Sequence, residues 1–111
     1  MNKLEKFRLL AEFQGARLIK NEHYQFYDVD NGSTIVWLEM MKYDSDWNWI
    51  MRICNIIHGH GMTVYIAIGG YAQITGEDLP HLIEVTADTS IEAVFEACVD
   101  FVVWWNGITK P

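Results

Sequence analysis

The sequence predicts an α+β fold with a mainly antiparallel sheet, its elements in the order α-β-β-β-α-β-β-β-α. Three observations predict it. Apolar residues recur at helical spacing in three stretches. Between those stretches lie short runs rich in Tyr, Phe, Ile, Val and Thr, the composition of strands. Asn31-Gly32 and Gly69-Gly70 then punctuate the runs with dipeptides suited to tight hairpins, which make neighbouring strands antiparallel. At 111 residues, 50% of them hydrophobic and 14% aromatic, the chain reads as one domain over 1–111. It can bury a sizeable core without disulfides or metal. The repetition of α-β-β-β suggests a duplicated plan, closed by a last helix.

The first helix is expected over Asn2–Gln14. Asn2 and Glu5 form a cap pair, Leu4, Phe7, Leu10 and Ala11 share a face, and Gly15 stops the run. Strands are expected at 16–20, at 23–29 and, after the Asp30-Asn31-Gly32-Ser33 hairpin signal, at 34–41. In that third strand Ile35 and Trp37 face one way and Val36, Leu38 and Met40 the other, the pattern of a central strand covered on both sides.

A second helix is expected from about Ser45 to His58, capped by Asp44 or Ser45. Trp47, Ile50, Met51, Cys54 and Ile57 make one apolar face; Trp49, Ile53 and Ile56 make another. Trp47 is predicted buried, and Trp49, on the second face, predicted under a further layer or in an interface. Strands at 62–68 and 71–75 flank Gly69-Gly70, and a last strand is expected at 82–86. The final helix begins at Thr89, whose spacing to Glu92 is that of a capping box, and is expected to end at Asn106-Gly107. Ile91, Val94, Phe95, Cys98, Phe101, Val102 and Trp105 form its apolar stripe. Glu92, Glu96 and Asp100 lie one turn apart on the opposite side.

Charge is uneven. The formal net charge is −7, yet the first twenty residues carry five bases against two acids. From residue 53 onward Lys110 is the one base against seven acids. Such a surface repels nucleic-acid backbone and attracts basic surfaces. Direct nucleic-acid binding is therefore not the leading expectation, and only the basic first helix could lean towards phosphate. Residues 53–76 lack Asp, Glu, Lys and Arg, but His58-Gly59-His60-Gly61 and Gly69-Gly70 break the stretch, so no membrane span is expected. The charged N-terminus does not read as a signal peptide. Cys54 and Cys98, at apolar helix positions, read as reduced core thiols of a cytoplasmic protein, with a bridge between the two helices left open.

No pattern carries catalysis. Cys54-x3-His58-x-His60 matches none of the usual zinc spacings, and Asp28-x-Asp30-x-Gly32 with Glu39 has its glycine one place early for a calcium loop. Ser90 lacks a nucleophile-elbow context, and no glycine-rich phosphate loop exists. The sequence thus assigns no catalytic residue, no metal and no cofactor, and the protein is expected not to be an enzyme. The acid row Glu92, Glu96 and Asp100 reads either as an ordinary solvated face or as a docking face for a basic partner.

Three segments resemble a known family. Tyr43–Met51 (YDSDWNWIM) is similar to the tyrosine, small polar residues and W-x-W pattern of small phage and Bacteroidetes proteins. Ala87–Asn106 (ADTSIEAVFEACVDFVVWWN) is similar to their closing helix, and Ala11–Gly15 (AEFQG) to their leading segment. In order and spacing these resemble the phage ABA-sandwich domain family; Arg52 departs from its pattern, where relatives carry proline. The resemblance implies a single-domain three-layer α/β/α sandwich of phage or prophage origin, acting in the host cytoplasm. It implies no activity. The expected function is a non-enzymatic protein that binds and inhibits a host defence complex, as an anti-CRISPR protein inhibits a nucleoprotein effector. Glu92, Glu96, Asp100 and Trp49 are its expected partner-binding residues. The alternatives are a phage structural or assembly protein acting as a homo-oligomer through exposed indoles, and a small enzyme or ligand-binding domain using the His58-Gly59-His60 region.

Overall fold

Among the residues described, three helices and two antiparallel three-stranded sheets follow one another as α-β-β-β-α-β-β-β-α, a mixed α+β chain as the sequence predicts. A computed structural model describes residues 1–28 and 32–109, with backbone alone at 27, 28 and 32. Contacts divide the chain into two units, Met1–Met41 and Lys42–Pro111.

In the first unit, α1 spans Lys3–Phe13. Asn2 is extended and its Oδ1 accepts the Glu5 amide at 2.8 Å, satisfying one of the donors a first turn leaves unpaired. At the other end Gly15 takes φ +91°. The Ala16 amide then reaches the Ala11 carbonyl at 2.9 Å and the Gly15 amide the Glu12 carbonyl at 3.0 Å, a Schellman stop. Phe7, Leu10 and Ala11 are buried as expected, whereas Leu4 is exposed.

Strands β1 (Arg17–Lys20), β2 (His23–Asp28) and β3 (Gly32–Trp37) form a meander with β2 in the middle. Tyr24 and Phe26 of β2 point inward together, at the period of two. The Asp28↔Gly32 pairing fits a hairpin, whose turn lies outside the described residues, as does Asp30 of the calcium-like spacing.

Two expectations fail here. β3 is an edge strand of this sheet, not a central one, and Ile35 is 58% exposed. It also ends at Trp37 rather than at 41, because the chain turns into a 3₁₀ turn at Leu38–Met40. The Leu38 amide bonds to the Glu22 carbonyl at 2.8 Å, and Met41 closes the turn onto the Leu38 carbonyl. A period of three replaces a period of two: Leu38 and Met41 are buried while Met40 faces out.

The second unit begins with a turn, in which the Ser45 and Asp46 amides both bond to the Lys42 carbonyl. That turn occupies Asp44 and Ser45, so neither caps the next helix. Asp46 does, its Oδ1 accepting the Asn48 amide at 2.9 Å, and α2 spans Trp47–Gly59. Strands β4 (Thr63–Ala67), β5 (Tyr71–Thr75) and β6 (Ile83–Thr86) form the second meander, with β5 central. Gly69 and Gly70 both take positive φ, as their sequence suggests.

Helix α3 spans Ser90–Thr109, lies across β5 and β6, and touches β4 and α2. Thr89 Oγ1 accepts the Glu92 amide at 3.3 Å, and Ser90 Oγ donates to the Ala67 carbonyl at 2.9 Å, fixing the helix start to the end of β4. The predicted stop at Gly107 is not used. That glycine keeps a negative φ, the helix runs to Thr109, and the Thr109 hydroxyl donates back to the Trp105 carbonyl.

Candidate functional site

Helix α3 is buried over most of its circumference. Ala93, Val94, Phe95, Ala97, Cys98, Val99, Phe101 and Val102 are all inside. Between Glu92 and Val103 what remains is a narrow solvent stripe carrying Glu92, Asp100 and Val103 exposed and Glu96 half-buried, while beyond it Trp104, Trp105 and Asn106 are half-buried and Gly107, Ile108 and Thr109 exposed. The acid row is therefore where the sequence places it, on one face. Charges on this helix have no other place to go, since an ionised side chain in the buried sector would need a paired partner. Glu92 lies in the first turn, where the helix's positive end favours a carboxylate by about 0.3–1 kcal/mol.

Trp49 stands apart from that row. The α2–α3 contact runs through Cys54 and Cys98, whose sulfurs lie 3.8 Å apart. Cys98 is about 200° around α3 from Glu96 at 3.6 residues per turn, so α2 meets α3 on the side away from the acids. Trp49 is half-buried, edge-on to the Tyr43 ring at 5.1 Å and 87°. Tyr43 itself is fully buried, and burial pushes its hydroxyl well above the ordinary tyrosine range.

The predicted burial of Trp47 is wrong. As the first residue of α2 it is 42% exposed. The buried face is Ile50, Ile53, Cys54 and Ile57, which lies between the two faces the sequence suggests. Trp47 and Met51 form one exposed flank, one turn apart, and Trp49 and Ile56 form the other, half-buried. The exposed indole of this helix is Trp47.

One face of the second sheet escapes the sequence reading. Registers place Thr63, Tyr65 and Ala67 of β4, Tyr71, Gln73 and Thr75 of β5, and Glu84 and Thr86 of β6 on the same side. Ala72 and Ile74, which alternate with them, are buried. The Tyr71 hydroxyl donates to Glu84 Oε2 at 2.7 Å and lies 3.3 Å from Gln73 Oε1. That bond to a carboxylate holds the Tyr71 hydroxyl above the ordinary range. Tyr65 is 57% exposed. The signal was present as the polar–apolar alternation of Tyr71–Thr75 and Ile83–Thr86, a surface of hydroxyls and rings suited to adaptable hydrogen bonding.

The histidines at the end of α2 have separate partners. His58 Nδ1 lies 3.2 Å from the Met62 carbonyl, and His60 stacks on Trp105 at 4.2 Å. No group of three or more His, Cys, Asp or Glu that could hold a metal occurs among the described residues. Among them, too, no helix is long and apolar enough to cross a membrane. No family model, curated protein or solved structure matches the chain.

Proposed function

We propose that this protein is a non-enzymatic, phage-type binding protein that docks on a basic protein surface and inhibits a host defence complex, in the manner of an anti-CRISPR inhibitor of a nucleoprotein effector. The observation that carries the reading is the acid stripe of α3, where Glu92 and Asp100 are exposed and Glu96 half-buried. It lies in a stretch that has one base against seven acids from residue 53 onward. Such a field steers a basic partner to the surface and speeds encounter more than it deepens affinity. Like charges one turn apart disfavour the helix by a few tenths of a kcal/mol per pair, a cost that a docking role would explain. The setting, a phage protein in a host cytoplasm, rests on the resemblance of the three segments.

The test is recovery of the tagged protein from host lysate, with mass spectrometry of what accompanies it. A basic nucleoprotein supports the reading; recovery of the protein alone counts against it. With the partner in hand, reversing Glu92, Glu96 and Asp100 to Lys slows association and flattens its salt dependence. The fold is retained at a cost of about 0.3–1 kcal/mol from the first-turn charge at Glu92. Reversing Lys3, Lys6 and Arg8 leaves that partner bound. If the target were nucleic acid, the same reversal would abolish binding and reduce the salt slope. Unchanged association in the acid reversal makes the stripe plain solvated surface and sinks the docking role.

A second reading, a structural or assembly role as a homo-oligomer, is favoured by one observation. Trp47 is 42% exposed and Met51 38% exposed, one turn apart on the same flank of α2. Aromatic and Met side chains are the residues enriched at interfaces. In this reading Trp47→Lys converts the oligomer to monomer by light scattering while the monomer keeps its fold, read by circular dichroism. A parent that is monomeric at all concentrations, or an oligomer that survives the substitution, removes this flank as the contact.

A further inference from the structure

Cys54 in the middle of α2 and Cys98 in the middle of α3 are both buried, 4% and 0% exposed, and their sulfurs are 3.8 Å apart. Both are free thiols, and each is the other's hydrogen-bond partner. A disulfide needs about 2.05 Å between sulfurs, so closing the gap takes a shift of just under 2 Å. The surroundings of the pair, the apolar faces of two packed helices, hold them in that relation: Ile50, Ile53 and Ile57 on one side, Val94, Ala97, Phe101 and Val102 on the other, all of them fully buried.

We propose that Cys54 and Cys98 form a reversible intramolecular disulfide that locks α2 to α3 when the protein meets a peroxide. Cys54 is the attacking sulfur. The hydrogen bond between the two sulfurs holds the Cys54 thiol below the ordinary value, against the effect of burial, while the same bond and deeper burial push the Cys98 thiol up. Cys54 is also the one of the two with any surface exposed. Cys54 gives up its proton and its thiolate attacks one oxygen of hydrogen peroxide; the O–O bond breaks, the leaving hydroxide takes up that proton and departs as water, and Cys54 becomes a sulfenic acid. Cys98 then gives up its proton and attacks the Cys54 sulfur. The S–O bond breaks, the second water leaves, and the S–S bond forms. Two thiols are oxidised by two electrons in all and one peroxide is reduced to two waters. A thiol reductant reverses the step by exchange. Peroxide is the fitting oxidant because it is small enough for a thiol that is 4% exposed.

The cross-link joins positions 44 residues apart, so it removes much of the freedom of the unfolded chain over the second unit. The expected phenotype is a raised thermal midpoint with little change in fold.

The experiment treats the folded, full-length protein with hydrogen peroxide, quenches in acid, unfolds it and alkylates the free thiols. The expected product is monomeric, carries no alkyl group, yields a Cys54–Cys98 cross-linked peptide two mass units lighter than the two reduced peptides together, melts at higher temperature, and returns to two alkylatable thiols with dithiothreitol. Cys98→Ala is the diagnostic variant. Without the resolving thiol, peroxide leaves Cys54 as a sulfenic acid, trapped by dimedone, whereas the parent gives little dimedone adduct. Because the main readout is on the parent protein, poor folding of a variant does not remove the test. Two thiols that stay alkylatable after prolonged peroxide overturn the proposal. So does oxidation to sulfinic acid without loss of two mass units, or a cross-link formed only between molecules.

Discussion

Replacing Phe101 with alanine lowers the unfolding free energy by about 3–5 kcal/mol, the range for deleting a fully buried aromatic side chain. Phe101 has no exposed surface and sits in the middle of α3, with the rings of Trp104 and Trp105 at 5.6 and 6.2 Å. The effect has two parts. The favourable transfer of the ring out of water is lost, and the cavity left behind cannot collapse fully because neighbours on a helix are held by its backbone. Small domains have about 5–15 kcal/mol in all, so the variant retains little margin. Urea unfolding followed by tryptophan fluorescence measures it. A midpoint equal to the parent's would mean that Phe101 is not in the core. Val103→Ala, on the exposed stripe of the same helix, is the control, expected within about 0.5 kcal/mol of the parent.

Gly70→Ala is the second large effect, and Gly69→Ala is its measure. Both glycines have positive φ, +98° at Gly69 and +90° at Gly70, a region costing a residue with a Cβ about 1–3 kcal/mol. At Gly69 a Cβ would meet nothing within 4 Å. At Gly70 it would run into the carbonyl of Ala87, whose own amide bonds to the Gly70 carbonyl at 2.8 Å. Backbone cannot rotate away as a side chain can. The clash adds about 1–3 kcal/mol or more, as overpacking does in a filled core. The segment between β6 and α3 must shift with it. The expected order of stability is parent, then Gly69→Ala, then Gly70→Ala, by calorimetry or denaturant. Equal losses at the two positions would show that the close approach at Ala87 is relaxed without cost.

The contrast between these two residues shows what a sequence can and cannot reveal. Gly69-Gly70 announces a turn by composition alone, because left-handed backbone is cheap only for glycine. That Gly70 is also pinned under Ala87 depends on a residue far along the chain. The apolar stripe of α3 was legible for a related reason: a long run with one polar sector leaves one way to orient the helix. α2 had two apolar faces and a thin polar stripe, so its rotation depended on neighbours, and Trp47 emerged exposed. Its start was displaced by the turn at Lys42–Asp46, which used up the two polar residues nearest the expected cap. At Trp37 alternation pointed onward as strand, but the chain turns into 3₁₀ geometry, which buries Leu38 and Met41 at a period of three. Of the candidate site, the acid row could be read because charge on a mostly buried helix is confined to its wet side. The face holding Tyr65, Tyr71, Gln73 and Glu84 needed the strand registers, which link residues by pairing rather than by spacing.

Among the described residues both sheets are meanders in which every strand pairs only with its neighbour in sequence. Closing short loops demands little chain entropy, so each meander can assemble rapidly and reversibly before distant parts of the chain have met. The encounter that must wait is that of α2 with α3, which joins Cys54 to Cys98 across β4, β5 and β6. In the second unit the search over chain conformations is thus concentrated in one late event. Substitutions at the α2–α3 seam will act chiefly on how fast the assembled unit comes apart, and those in the β4–β5 hairpin on how fast it forms.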